Sequence, residues 1–95
     1  MNIVWSPEAI QDLISLKSYI AEESPGGAQR IALRILHSVE HVLPNSPHMG
    51  RPGRVPGTRE LVVPQTPYTV PYRVDGENLH ILRVYHSARR WPESF

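Results

Sequence analysis

The sequence predicts an α+β fold of order β-α-α-β-β-β, in which an antiparallel sheet packs against an N-terminal helical hairpin. Three observations carry that expectation. Ser6-Pro7 and Ser24-Pro25 each pair a capping hydroxyl with a proline at a first helical position, and each opens a run of apolar residues at helical spacing. A stretch dense in proline and glycine follows the second run. Beyond it, three segments rich in β-branched and aromatic residues are divided by turn residues.

Taken in order, Ile3, Val4 and Trp5 have the character of a short strand. A helix starts at about residue 7 with Glu8 in its first turn. Its apolar positions are Ala9, Ile10, Leu13, Ile14, Leu16 and Ile20, while Gln11, Asp12, Ser15 and Lys17 fill most of the other face. It ends near Glu23. Ser24-Pro25 opens a second helix with almost no connector, which makes the pair an antiparallel hairpin. The second stripe is Ala28, Ile31, Ala32, Ile35, Leu36, Val39, Val42 and Leu43, and Pro44 closes it.

Seven of the fourteen residues from Pro44 to Gly57 are proline or glycine, so this segment reads as a loop, and it carries Arg51 and Arg54. Strands follow at Thr58 to Val63, Tyr68 to Val74 and Leu79 to His86, separated by turns at Pro64 to Pro67 and Asp75 to Asn78. Pro71 has no N–H for a ladder and therefore requires an edge or a bulge. The last strand is apolar on both faces, with Leu79, Ile81 and Tyr85 against Leu82 and Val84, which places it inside the sheet.

A chain of 95 residues, 40% of them hydrophobic, has material for one core, and residues 1–95 read as a single domain. The absence of cysteine excludes a disulfide framework and a thiolate metal site. The opening Met1-Asn2-Ile3-Val4-Trp5 lacks the basic start and apolar stretch of a signal peptide, and no run approaches the ~18 apolar residues of a membrane span, so a cytoplasmic location is expected. A net charge of +1 is too small to argue for non-specific nucleic-acid binding. The charge is unevenly placed, however. Residues 1–50 hold three basic and five acidic side chains, whereas residues 51–95 hold seven arginines and four acids. Nine of the ten basic residues are arginine, whose planar fork suits phosphate or carboxylate, although a coding bias towards arginine would give the same count.

No nucleophile elbow, phosphate-binding loop, zinc-protease motif or dinucleotide fingerprint is present. His37 and His41 are one helical turn apart but have no third ligand near them, and with Arg30 and Arg34 they read as a solvated helix face, so neither a metal nor a cofactor is expected. Arg59 and Glu60 are adjacent in a strand and point to opposite faces, so they are not a pair. What remains is basic: Arg51 and Arg54 in the loop, Arg59, Arg73 and Arg83 on strands, His86 beside them, and Arg89, Arg90 and Trp91 after the last strand. Ribonuclease chemistry would use His86 as acid or base and Arg54, Arg59 and Arg83 as phosphate contacts. The plainer reading pairs Arg59 and Arg83 with acids.

Four segments together resemble the RelE/ParE toxin superfamily: Trp5-Ser6-Pro7-x-Ala9, the stretch from Gly50-Arg51-Pro52-Gly53-Arg54 through Gly57-Thr58-Arg59-Glu60-Leu61-Val62-Val63, Pro67-Tyr68 leading into Tyr72-Arg73, and Ile81-Leu82-Arg83-Val84-Tyr85-His86-x-Ala88-Arg89-x-Trp91-Pro92. Each alone is weak, but their order and spacing span nearly the whole chain. The resemblance implies a toxin of a type II toxin–antitoxin pair, bound as a hetero-oligomer by a cognate antitoxin that wraps it and lays a helix on the hairpin. Leu13, Leu16, Ile20, Ile35 and Val39 are the candidates for that contact. The ribosome-dependent ribonuclease branch carries basic residues where this chain has Glu60, Val62 and Thr69, whereas the Gly57 to Val63 stretch and the His86-to-Trp91 ending look like the ParE branch. That branch implies a non-enzymatic poison of DNA gyrase, with Arg51, Arg54, Arg83, His86, Arg89, Arg90 and Trp91 as its target-binding residues. The alternatives are an mRNA interferase centred on His86 and a binding module without toxicity.

Overall fold

The computed structural model describes residues 1–95 and has the expected α+β architecture. Strand β1 (Asn2–Trp5) leads into helix α1 (Pro7–Ala21) through Ser6, whose hydroxyl accepts from the Ala9 N–H at 2.9 Å and donates to the Leu82 carbonyl at 2.8 Å. One capping side chain therefore both starts the helix and fastens it to the sheet. Helix α2 (Pro25–His37) starts the same way, with the Ser24 hydroxyl accepting from Gly27 N–H at 3.1 Å. It does not run on unbroken to Leu43 as its stripe suggests. A π-helical turn at Ser38–Val42 and a 3-10 turn at Leu43–Asn45 complete it, and within them Glu40 accepts a hydrogen bond from the Trp5 indole at 2.9 Å. The wider π turn keeps Val39 and Leu43 fully buried while Glu40 reaches β1.

The sheet is mixed and has more strands than the sequence suggested. Beyond the helices come β2 (Arg51–Pro52), β3 (Arg59–Val62), β4 (Tyr68–Asp75), β5 (Asn78–Ile81) and β6 (Tyr85–His86), in the spatial order β1-β5-β4-β3-β2 with β6 also on β4. Strand β1 joins parallel to β5, the one departure from the antiparallel expectation. The Pro44 to Gly57 segment is not wholly irregular either, because Arg51 and Pro52 pair with Glu60 and Arg59. The expected final strand is two strands: Tyr72 faces Ile81 and Thr69 faces Tyr85, so Leu82, Arg83 and Val84 oppose only Pro71 and Val70. The extra residue is a bulge, and it lies where Pro71 has no N–H to offer; the Pro71 carbonyl still accepts from Leu82 N–H at 3.0 Å.

Facing residues in an antiparallel pair share a side of the sheet, which sorts the chain into two layers. Leu61, Tyr68, Val70, Tyr72, Leu79 and Ile81 meet Ala9, Leu16, Ile35, Val39 and Leu43 of the helices in one core. The opposite side carries Glu60 facing Pro71, and Thr69 facing Tyr85, and all four are buried. The burial of the hairpin residues corrects one expectation. Leu16, Ile35 and Val39 are interior, and Leu13 and Ile20 pack partly buried against the same core, so in this fold they hold the hairpin to the sheet and are not an open face for a partner. The outward apolar residues of the hairpin are instead Ile10, Ile14, Tyr19 and Leu33.

Gly50 shows how tightly the Pro44 to Gly57 segment is seated. A Cβ there would lie 2.7 Å from the Tyr72 ring and 2.9 Å from the Glu60 carbonyl oxygen, closer than any side chain tolerates. The Gly50 N–H donates to the Tyr72 hydroxyl at 3.0 Å, which in turn donates to the Pro47 carbonyl at 2.7 Å. No helix is long and apolar enough to cross a membrane.

Candidate functional site

The seven arginines of the second half divide by what holds them. Arg51 and Arg54 converge on Glu60, whose side chain is only 2% exposed. Arg51 donates through Nε and Nη2 to Oε1 at 3.1 and 3.0 Å; Arg54 donates its backbone N–H to Oε2 at 2.8 Å and sets its Nε 3.5 Å from the same oxygen. A buried carboxylate needs such donors, since desolvation without them costs several kcal/mol, roughly. Arg83 forms a two-pronged bond with Asp12 of α1, Nε to Oδ2 at 2.7 Å and Nη2 to Oδ1 at 2.8 Å, and Asp12 also accepts from Val84 N–H at 3.0 Å. The hydrogen bonds to Asp12 raise the Arg83 pKa above the ordinary guanidinium value, against a lowering by burial. Arg59 donates to the His48 and Gly50 carbonyls at 3.1 and 2.9 Å. Arg73, Arg89 and Arg90 make no ion pair.

The aromatic centre of the region is Tyr85, buried on the side of the sheet away from the helices. The Arg89 and Arg83 guanidinium carbons lie 4.5 and 4.8 Å from its ring centroid, and the Trp91 ring meets it edge-on at 5.1 Å. Phe95 adds a third ring at 6.2 Å. Arg54 reaches across to put its guanidinium 4.0 Å over the Trp91 ring, so the 51–57 loop and the C-terminal segment are joined through one cation–π contact. Around them opens a cleft of about 710 Å³ whose walls include Arg73, Arg83, Arg89, Arg90, Trp91 and Phe95. Its three uncommitted guanidinium groups, set beside aromatic rings, suit an anionic surface better than a purely apolar ligand.

The structure thus gathers Arg54, Arg83, Arg89, Arg90 and Trp91 around the Tyr85–Trp91 pair, and it gives several of the expected site residues internal partners, Arg83 an acid as the plainer reading had it. Arg51 and Arg54 are not free loop cations, because Glu60 takes both. Arg83 is neutralised by Asp12. His86 stands apart from the arginine cleft: it faces Tyr68 across the β4–β6 ladder, with the rings edge-to-face at 5.6 Å, and accepts the Ala88 N–H on Nδ1 at 3.2 Å. Tyr85 and His86 are neighbours in β6 and project to opposite sides, which is why a histidine next to the site in sequence is across the sheet from it. Thr69 is buried, with its hydroxyl 2.8 Å from that of Ser87. The residues that sequence reasoning missed are Asp12, Glu60 and Tyr85, the partners that decide which cations are free. Asp12 and Arg83 are separated by 71 residues, and no local pattern links them.

A second concavity, of about 390 Å³, lies between α2 and the outer edge of β3, where β2 has ended and Leu61–Val62 has no strand beside it. Leu33, Val42, Met49 and Val62, all exposed, converge there with Pro64, and Arg34 and His37 stand at its rim. The His37 ring also meets that of His41 in a tilted contact, 5.5 Å between centroids, on the exposed helix face.

Comparison with known proteins gives a consistent picture. Residues 3–91 match the model of the ParE toxin of the type II toxin–antitoxin system, parDE. The chain is 38% identical to Y4kP of Sinorhizobium fredii, a protein named as a toxin, over 92 residues that make up 97% of this chain and 94% of that relative. It is 37% identical to Toxin RelE2 of Caulobacter vibrioides over 88 residues, 93% of this chain and 97% of the relative. Among solved structures, the chromosomal ParDE toxin–antitoxin system from P. aeruginosa superposes with a TM-score of 0.75 at 29% identity, covering 90% of this chain and 95% of that one.

Proposed function

Because the chain belongs to the ParE toxin family of type II toxin–antitoxin systems and is itself the toxin of such a pair, we propose that its target is DNA gyrase and that it acts by binding, without nuclease chemistry of its own. The observation that carries this reading is the distribution of free charge. The cations a ribonuclease would set on the scissile phosphate, Arg54, Arg59 and Arg83, each have an internal partner, and His86 is turned away from them. The uncommitted cations, Arg73, Arg89 and Arg90, instead ring an open cleft beside Trp91, a shape suited to docking on an acidic protein surface or a protein–DNA junction. The target-binding set is therefore Arg73, Arg89, Arg90 and Trp91, with Arg51, Arg54 and Arg83 as its supports.

The antitoxin is the second partner, and the groove between α2 and β3 is its proposed seat. Four exposed apolar side chains and an unpaired strand edge offer an extended segment both burial and backbone hydrogen bonds, and the Arg34 and His37 rim favours acidic residues flanking it. Together with Ile10, Ile14 and Leu33 on the outer hairpin, it takes the place of the buried residues first considered. Leu33→Asp with Val62→Asp is expected to weaken antitoxin capture while leaving the thermal melt of the isolated toxin near that of the wild type.

The deciding experiment induces the chain in bacterial cells and follows DNA breaks and supercoiling beside the integrity of translated mRNA. Broken or relaxed DNA with intact mRNA supports the gyrase reading. Codon-spaced mRNA cleavage with intact DNA would overturn it in favour of an mRNA interferase centred on His86, and that activity would be lost in His86→Ala. Growth unaffected by induction would mark a binding module without toxicity.

A further inference from the structure

The C-terminal segment that carries the free arginines is attached in an unusual way. No backbone or side-chain hydrogen bond involves residues 90–95; the last one along the chain is Arg89 N–H to the His86 carbonyl at 2.9 Å. The Trp91 indole N–H is buried without a partner. What holds the segment is a stack of side chains: Arg54 over Trp91 at 4.0 Å, Trp91 edge-on to Tyr85 at 5.1 Å, and Phe95 beyond. Tyr85 is rooted in β6, so the other end of the stack rests on how firmly Arg54 is placed.

A loop arginine with a half-exposed side chain has no intrinsic reason to hold one rotamer, because ordering a side chain this long costs on the order of 2 kcal/mol. Here both ends of Arg54 are tied to one carboxylate, its backbone N–H at 2.8 Å and its side-chain Nε at 3.5 Å from Glu60 Oε2. The planar guanidinium then serves two partners at once, lying within ion-pair distance of Glu60 and presenting its flat face to Trp91. Glu60 is itself immobile, since it sits in β3 opposite Pro71 with its other oxygen taking two N–H groups of Arg51.

We propose that Glu60 is a positioning residue for the target-binding surface: by fixing the Arg54 guanidinium over Trp91 it holds the C-terminal segment, and with it Arg89 and Arg90, closed on Tyr85. An acid at the centre of a basic surface thus keeps the free cations in place. The inference rests on the reading of Arg89, Arg90 and Trp91 as target-binding, and its test separates the two.

The chain has two tryptophans, so Trp5→Phe leaves Trp91 as the sole indole reporter. In that background Glu60→Gln and Arg54→Ala are expected to shift Trp91 emission to the red and to raise its quenching by acrylamide severalfold. Trypsin cleavage after Arg89 and Arg90 should accelerate severalfold as well. Arg51→Ala, which removes the other partner holding Glu60 but does not touch Trp91, is expected to move all three readouts in the same direction to a smaller degree. Circular dichroism checks that each variant is folded. Should Glu60→Gln fail to fold, Glu60→Asp, which keeps the charge but withdraws it by one methylene, is expected to give the same changes to a smaller degree. Unchanged emission and cleavage in the folded Glu60 variants would overturn the proposal, whatever Arg54→Ala does. A loosened segment together with undiminished growth arrest, in both Glu60→Gln and the Arg89→Ala/Arg90→Ala protein, would instead remove the target-surface reading and leave the hold of Glu60 on the segment standing.

Discussion

Arg83 and Arg89 lie within 5 Å of the centre of the same tyrosine ring, at 4.8 and 4.5 Å, yet they are different kinds of residue. Arg83 is clasped by Asp12 from a helix at the other end of the sequence and contributes to holding the bulge of the sheet against α1. Arg89 has only the ring, and its charge is available to another molecule. The difference teaches that a cluster of cations in a sequence is not yet a binding surface. It becomes one only after the acids of the fold have taken their share. In this chain Asp12 and Glu60 take Arg83, Arg51 and Arg54, and what they leave is the unpaired charge of the cleft.

The sharpest way to break the contrast is to remove the acid. Asp12→Ala leaves a partly buried Arg83 without its partner and Val84 N–H without an acceptor, and is expected to cost about 3 kcal/mol, read from urea denaturation. If the cost were within the noise of a surface substitution, Arg83 would be as free as Arg89 and the division would collapse. Next in size is Gly50→Ala, which drives a methyl group into Tyr72 and the β3 backbone beside Arg59 and Glu60. About 2 kcal/mol is expected, because neither neighbour can move far without disturbing the clamp on Arg51 and Arg54. Smallest in stability, and largest in activity, is Arg89→Ala with Arg90→Ala. Loss of one exposed cation–π contact changes stability by roughly 0.5–1 kcal/mol, while growth arrest on induction should be lost.

Alkaline titration extends the comparison to Arg59, a cation tied to carbonyl oxygens rather than to an acid. Burial raises the Tyr72 pKa above the usual tyrosine value, against lowering contributions from the Gly50 N–H and the nearby charge of Arg59. With the folded value above the unfolded one, the stabilisation is complete below the unfolded tyrosine pKa of about 10 and is lost as pH rises through the folded value. The urea midpoint should therefore fall above about pH 10, and fall less steeply in Tyr72→Phe. Some slope will remain, because Tyr68 is shifted in the same direction by its own burial.

Much of this molecule was legible because its signals are local. The two Ser-Pro starts set both helices within a residue, since a cap hydroxyl and a fixed proline φ act on the next turn of chain and need nothing distant. Pro71 announced a break in the ladder, and the bulge at Leu82 to Val84 answers it. The parallel β1–β5 pairing was not legible, because it joins residues more than seventy apart with no turn to fix the register. Nor was the short β2 strand, whose pairing depends on Arg51 reaching Glu60. The site shows the same division: the arginines and Trp91 could be named from composition and motif, whereas Tyr85 as their centre and His86 as an outsider follow from which way β6 points.

What the sequence by itself determined is the α+β class and the order of the main elements, which rest on periodicity, capping and turn chemistry within a few residues, together with the stock of cations in the second half and, through motif resemblance along the chain, the family. The tertiary structure alone decided which hydrophobic positions are interior and which arginines are left without an acid. Both are properties of neighbours brought together across the chain: Leu16, Ile35 and Val39 are core because the sheet covers them, and Arg89 has no ion pair, whereas Asp12 and Glu60 are bound to Arg83, Arg51 and Arg54.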